Sequence, residues 1–374
     1  MINAPACLIL SDGSKFEGFS VGASGTSAGE LVFNTGMTGY QEILTDPSYA
    51  HQLVMLTTAH VGNTGCNQED MESSRVWAEG LVLQNEIGIS SNYRAELSFP
   101  DFLKKHRVVA IAGVDTRALT HHLRDNGAVS ACITTEMDHI DQALERAKAY
   151  PGLSGVDLAR MVSRKTTERW HTGRGDWALD SEPQQMHVVV YDFGVKHSIL
   201  RRLYDKGCNL TLVPAETSAA DVMAMNPDGV LLSNGPGDPA ACDYAIKATR
   251  ELIKHKVPLF GICLGFQILA LACGAKAEKM KFGHHGVNHP VFQIESPGRV
   301  LITSQNHGFA IDEVSLPASL QVTHRSLFDE SLQGIMHESR RAFGFQGHPE
   351  AGPGPHDAAC IFDQFIELIQ STCD

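Results

Sequence analysis

The nine cysteines of this 374-residue chain include no C-x-x-C pair and no zinc-type spacing. An odd number without a framework argues against a disulfide scaffold and fits a reducing, cytoplasmic setting. Positive charge is in deficit. The 30 Lys and Arg against 43 Asp and Glu leave a formal charge of −13, which argues against a nucleic-acid surface or an anionic membrane surface. Long apolar runs are missing as well. The most apolar window, residues 260–275, is broken by Gly261, Gly265 and Gln267 and is too short to span a bilayer. The apolar run at residues 6–10 meets Asp12 at once, so no secretory signal is expected. There is no Walker-type phosphate loop, no internal repeat and no low-complexity tract. The pairs His121-His122 and His284-His285 lack clustered cysteine or carboxylate companions, so no metal site is expected.

What is present is a set of short segments with chemistry in them. Gly261-Ile262-Cys263-Leu264-Gly265 follows the apolar stretch 257–260 and precedes the helix-like stretch 266–272. Strand, sharp Gly-x-Cys-x-Gly turn and helix together are the nucleophile elbow, with sulfur in place of a hydroxyl. The turn is cramped, so glycines flank it. It sets Cys263 at a helix N-terminus, whose partial positive charge favours a thiolate. Taken alone, the segment is equally a buried cysteine in a tight strand–helix turn.

A second segment, Phe345-Gln346-Gly347-His348-Pro349-Glu350, supplies a candidate base, His348, and a candidate orienting carboxylate, Glu350. Pro349 biases His348 towards extended backbone, and residues two apart in an extended segment share a face. Nucleophile, base and orienter then form a triad in the order Cys, His, Glu. A third segment, Ser233-Asn234-Gly235-Pro236-Gly237-Asp238-Pro239, follows the apolar run 229–232. Its Gly235 N–H, with that of Leu264, could form a two-donor oxyanion hole.

The combination GICLGFQ, SNGPGDP and FQGHPE resembles the class I (triad) glutamine amidotransferases. The stretch from Phe33 to Tyr49 (FNTGMTGYQEILTDPSY) narrows the resemblance to the small, glutamine-hydrolysing subunits of carbamoyl phosphate synthetase. The likeness runs along essentially the whole chain, including Lys281-Phe282-Gly283-His284-His285-Gly286 and Gln305-Asn306-His307-Gly308-Phe309. One departure is Phe266, where bacterial members often carry histidine; it is not a triad position. The resemblance implies that Ser48, Gly237, Gln267, Asn306, Gly308 and Phe309 bind the amino-acid end of L-glutamine. It implies ammonia release by Cys263, His348 and Glu350, and passage of that ammonia to a separate large ATP-using synthetase subunit. There it would become carbamoyl phosphate, feeding arginine and pyrimidine synthesis. No cofactor is expected in this chain; ATP and magnesium would belong to the large subunit.

The expected fold class is α/β. Residues 1–150 read as a mixed, β-rich domain for association with the large subunit, with strands near 6–10, 29–34, 52–57 and 108–112 and helices at 116–124 and 141–149. Residues 151–186, polar and aperiodic in their second half, read as a linker. From 187 a βα rhythm begins, with strands at 187–192, 210–213, 229–232 and 257–260, implying a parallel sheet covered on both faces in a domain of residues 187–374. Sites in such sheets form at the carboxyl ends of strands, where Gly235, Cys263 and His348 all fall. Three other readings compete. A cysteine peptidase also orders Cys before His, but the papain-type C-G-S/A-C-W/Y signature is absent. The glutaminase subunit of a different synthase would lack the N-terminal 150 residues seen here. A non-catalytic regulatory subunit would not need the triad.

Overall fold

The computed structural model describes residues 4–178, 183, 185–295 and 298–371. The chain divides into two compact units. The first runs to Ser154 and takes in Lys281–Gly286; the second holds Gly155–Met280 and the chain from Val287 on.

The first unit is built on seven strands: β1 (Pro5–Leu10), β2 (Lys15–Ser20), β3 (Thr26–Asn34), β4 (Gln52–Leu56), β5 (Gly80–Val82), β6 (Val109–Ala112) and β7 (Val129–Thr134). They close into a barrel in the order β1-β2-β6-β5-β4-β3-β7. Four helices accompany them: α1 (Tyr40–Thr45), α2 (Phe99–Lys105), α3 (Thr116–Asn126) and α4 (Ile140–Ala149). Alternation along the strands sorts the side chains. Leu8, Leu10, Leu31, Leu53, Met55, Ile111 and Ile133 gather in one core with Leu119 and Leu123 of α3. From the opposite face of β1, Cys7 and Ile9 meet Ala143 and Ala147 of α4. Strands β2, β5 and β7 fall outside the strands expected from the sequence, and β7 shows why. It is half-buried at its start and carries Ser130 and Cys132, so its apolar alternation is weak.

The second unit opens with α5 (Leu158–Val162) and β8 (Glu168–Trp170). A βα series follows: β9 (Met186–Asp192), α6 (His197–Asp205), β10 (Cys208–Pro214), α7 (Ala219–Ala224), β11 (Gly229–Leu232), α8 (Asp243–His255), β12 (Leu259–Ile262) and α9 (Leu264–Cys273). Then come β13 (Lys276–Gln293), β14 (Val300–Asp312), β15 (Leu320–Ser326), β16 (Leu332–His337), β17 (Ala342–Phe345) and α10 (Cys360–Gln370). The sheet order is β14-β13-β15-β16-β17-β12-β11-β9-β10-β8. Its centre, β10, β9, β11, β12 and β17, is parallel. Continuous apolar strands suit a sheet buried on both faces. Val189, Tyr191, Val230 and Leu232 face one core with helices α7 to α9. Val188, Val190, Leu231 and Phe260 face a second core with α6 and α10.

Three features differ from the expectation of a parallel sheet behind a linker. The flanks β8, β16 and β15 run antiparallel: β8 precedes the βα series, and after α9 the chain no longer alternates strands with helices. The strand before Cys263 also sits two residues later than expected, at Leu259–Ile262. Within the segment expected to be a linker, residues 155–178 are built into the second unit: α5 packs there, and β8 pairs with β10. Residues 179–182 and 184 of that segment lie outside the described residues.

Candidate active site

Cys263 stands between β12 and α9 with φ 51° and ψ −105°. A positive φ is strained for a residue with a side chain, and here backbone on both sides fixes it. The Cys263 N–H donates to Phe345 O (2.9 Å), and its carbonyl accepts from Gln267 N–H (3.1 Å). The turn closes because Gly265 has no side chain: a Cβ there would lie 2.1 Å from Leu232 O. The thiol is buried. Asn306 O lies 3.6 Å from Sγ, and Gln346 Nε2 lies 3.7 Å from it.

His348 follows β17 and is tied to β14, its N–H donating to Ser304 O at 2.8 Å. Its Nδ1 donates to Glu350 Oε1 at 2.6 Å, and both side chains are almost wholly buried. Nε2 makes no hydrogen bond among the described residues. Burial disfavours the imidazolium, but the Glu350 carboxylate and the Cys263 sulfur outweigh that and raise His348 well above the ordinary imidazole range. Burial likewise works against an ionised Glu350. The Lys196 ammonium and the His348 ring overcome it and hold the carboxyl below its usual range. Lys196 Nζ donates to Glu350 Oε1 (3.0 Å) and to Ala351 O (2.6 Å), while Arg202 Nε donates to Glu350 O (3.0 Å). The result is a buried relay of alternating charge, Lys196, Glu350 and His348, ending beside a thiol.

The Ser233–Pro239 segment leaves the end of β11. Gly235 presses so closely on Phe193 O that a Cβ would lie 2.1 Å from it, and 2.9 Å from Leu264 Cδ2. Gly235 and Leu264 are therefore neighbours. Gln267, one turn into α9, donates to Phe309 O (2.8 Å) and to Gln346 Oε1 (2.9 Å). Asn306, Gly308 and Phe309 follow one another along β14, and Gly308 has open space where a Cβ would stand. The structure thus gathers Cys263, Leu264, Gln267, Gly235, Asn306, Phe309, His348 and Glu350 in the second unit. Gly237 lies beyond Gly235 on the same loop. Ser48 belongs to the first unit, in the 3₁₀ turn Pro47–Tyr49, where it is buried and its N–H donates to Asp46 Oδ1 (2.8 Å). Phe266 lies in the sheet core, against Gly344.

Sequence reasoning missed Lys196, Arg202 and Gln346 as participants. Lys196 had a detectable signal, since it sits in the loop after β9, at the same sheet edge as Cys263 and Gly235. Arg202 had none, for it reaches Glu350 from inside α6. Among the described residues, no group of three or more His, Cys, Asp or Glu side chains is placed to hold a metal ion.

Comparison with known proteins places both parts of the chain in known families. Residues 189–368 match the family model described as glutamine amidotransferase class-I, and residues 8–133 match carbamoyl-phosphate synthase small chain, CPSase domain. A carbamoyl phosphate synthase small chain of Vibrio cholerae serotype O1 is 58% identical over 376 residues, covering 98% of each chain. One of Salmonella typhimurium is 57% identical, covering 98% of this chain and 97% of its own. A third, of Acinetobacter baylyi, is 57% identical over 99% of both. The second unit's match defines a glutamine amidotransferase of class I. The chain belongs to the carbamoyl phosphate synthase small-chain family.

Proposed function

We propose that this protein hydrolyses L-glutamine to glutamate and ammonia, with Cys263, His348 and Glu350 in the chemistry, for delivery of the ammonia to a separate large synthetase subunit. The observation that supports this best is the buried Lys196–Glu350–His348 relay ending in an uncommitted Nε2 near a sulfur on a strained elbow. With its proton taken up by His348 Nε2, the Cys263 sulfur attacks the side-chain amide carbon as a thiolate, forming the C–S bond while the carbonyl π pair moves to oxygen. Leu264 and Gly235 N–H groups stabilise the developing oxyanion. His348 protonates the departing nitrogen, which leaves as ammonia. The same imidazole then takes a proton from water, which cleaves the thioester to glutamate and returns the thiol. Glu350 keeps the ring in the tautomer that leaves Nε2 available, and stabilises its cation.

Ser48, Gly237, Gln267, Asn306, Gly308 and Phe309 are assigned to the ammonium and carboxylate of glutamine. ATP and magnesium are assigned to the large subunit, where ammonia enters carbamoyl phosphate for arginine and pyrimidine synthesis. A sheltered route has a chemical reason: free ammonia is protonated in water near neutral pH. Eight described cysteines are free thiols, which supports a cytoplasmic location.

The test is glutamate release by the purified protein and by its Cys263→Ser variant, with glutamine- and ammonia-dependent carbamoyl phosphate synthesis measured in the complex. Cys263→Ser is expected to lose glutamate release by at least about 10³-fold while ammonia-dependent synthesis persists. Equal glutamate release by both proteins would remove Cys263 from the mechanism.

A further inference from the structure

Resting on that reading, we propose that Gly155–Arg164, the first stretch of the second unit, is a positioning strap for the glutamine site. It fastens from outside the two loops on which the site depends, and it supplies none of the groups that touch substrate.

One end of the strap holds the substrate loop. Gly155 N–H donates to Asp238 Oδ2 (2.9 Å), and Asp238 N–H points back to Val156 O (3.5 Å). Gly237 lies flat against this segment: a Cβ on it would stand 3.0 Å from Val156 O and 3.1 Å from Leu158 Cβ. Asp157 anchors the strap itself. Its carboxylate caps α5 through Arg160 N–H (3.0 Å) and accepts from Tyr244 Oη (3.1 Å). The Arg160 guanidinium lies over the Tyr244 ring.

The other end holds the relay loop. Arg164 donates to Asp192 Oδ2 through both its backbone N–H (3.1 Å) and Nε (2.9 Å). The second oxygen of Asp192 accepts from Gly194 N–H (2.9 Å) and Val195 N–H (2.8 Å). Asp192 is therefore a bridge, with the strap on one side and the 193–196 backbone on the other. That backbone carries Phe193 O, against which Gly235 rests, and ends at Lys196, which grips Glu350. The two loops are also bound to each other: Phe193 N–H donates to Ser233 Oγ (3.0 Å) and Lys196 N–H to Asn234 Oδ1 (3.1 Å). Oxyanion donor and carboxylate relay thus share one scaffold, clamped at Asp238 and at Asp192 by ten consecutive residues. Those residues continue directly from the last residue of the first unit, Ser154.

Because displacement of about 1 Å can cost about a hundredfold in rate, loosening either clamp should show in the kinetics of glutamine hydrolysis. Arg164→Met keeps side-chain volume and the backbone N–H bond to Asp192 but removes the Nε bond and the positive charge beside that carboxylate. It is expected to lower kcat about tenfold or more with KM for glutamine little changed, and Arg164→Lys to restore part of the loss by keeping a cation at Asp192. Asp238→Ala releases Gly155, and with it the loop's own Ala240 N–H, and is expected to raise KM about tenfold more than it lowers kcat. Ammonia-dependent carbamoyl phosphate synthesis by the complex should be unchanged in all three. Wild-type kcat and KM in both Arg164→Met and Asp238→Ala, or a matching fall in ammonia-dependent synthesis, would overturn the strap. Absence of glutamate release by the unaltered protein would instead overturn the glutaminase reading on which it rests.

Discussion

At the scale of single residues, the site is a matter of charge kept out of water. Glu350 and His348 are buried together; Lys196 first and then His348 keep the carboxylate ionised, while Glu350 and the Cys263 sulfur keep the imidazole protonated. A raised imidazole contributes stability in full below its ordinary value of 6.5 and loses it as pH climbs towards the folded value. Glu350, depressed, contributes in full above the ordinary carboxylate value of 4.5 and loses its share only in stronger acid. Glu350→Gln removes the larger of the two charges that raise His348. The stability gap between the two proteins, from urea midpoints, is therefore expected to shrink from about pH 6.5 upward and to be widest just below it. A gap that stays constant from about pH 6 to about pH 9 would mean His348 is not held as a cation. Cys263, His348 and Glu350 were legible as residues because two lie two positions apart and the third sits in a turn with a recognisable glycine spacing. Lys196 and Gln346 were not. Their partners, Glu350 and Cys263, are 154 and 83 positions away in the chain, and no local pattern reports a pairing at that separation.

At the scale of elements, the elbow depends on helix α9 starting hard against strand β11. Gly265 permits this, and Gly265→Ala should drive a methyl into Leu232 O. A loss of about 1–3 kcal/mol or more is expected in chemical denaturation, whereas Gly308→Ala, with open space around it, should stay within about 0.5 kcal/mol. Similar costs for both would mean that crowding at the elbow relaxes freely. The central strands were readable because β9 and β11 are nearly unbroken apolar runs between turn signals. The antiparallel flank was not. Strand β13 reads KAEKMKFGHHGVNHPVFQ, mostly half-exposed or exposed, with charged residues at its start. The same weakness hid β8, three residues long and largely exposed. Short or half-wet strands owe their existence to a neighbour's edge rather than to their own periodicity.

At the scale of the whole molecule, two units of different architecture are strung on one acidic chain. The formal charge of −13 should keep the protein from polyanions. At low ionic strength and neutral pH it is expected to pass through immobilised heparin without retention, and retention released by salt would reveal a basic surface that the composition conceals. The composition changes in the polar, aperiodic stretch 163–185, whereas the second unit already begins at Gly155. The return was not readable: Lys281–Gly286 lies inside strand β13, yet it belongs to the first unit, with Lys281 O accepting from Ala128 N–H at 2.8 Å. Composition averages over neighbours in sequence, so an excursion of six residues leaves no trace in it.

The amino-acid order by itself determined the local chemistry: a glycine-flanked cysteine bound to form a sharp turn, a histidine and glutamate spaced to share a face, and apolar runs committed to a buried parallel sheet. These follow from steric and periodic constraints that act over a few residues. Only the tertiary structure decided which distant groups complete the site. Lys196 and Arg202 converge on Glu350, and Asp192 and Asp238 join the site's loops to residues 155–164. Such pairings are set by how helices and loops pack on the sheet, where the energy of burying a charge requires a partner from whatever part of the chain arrives there.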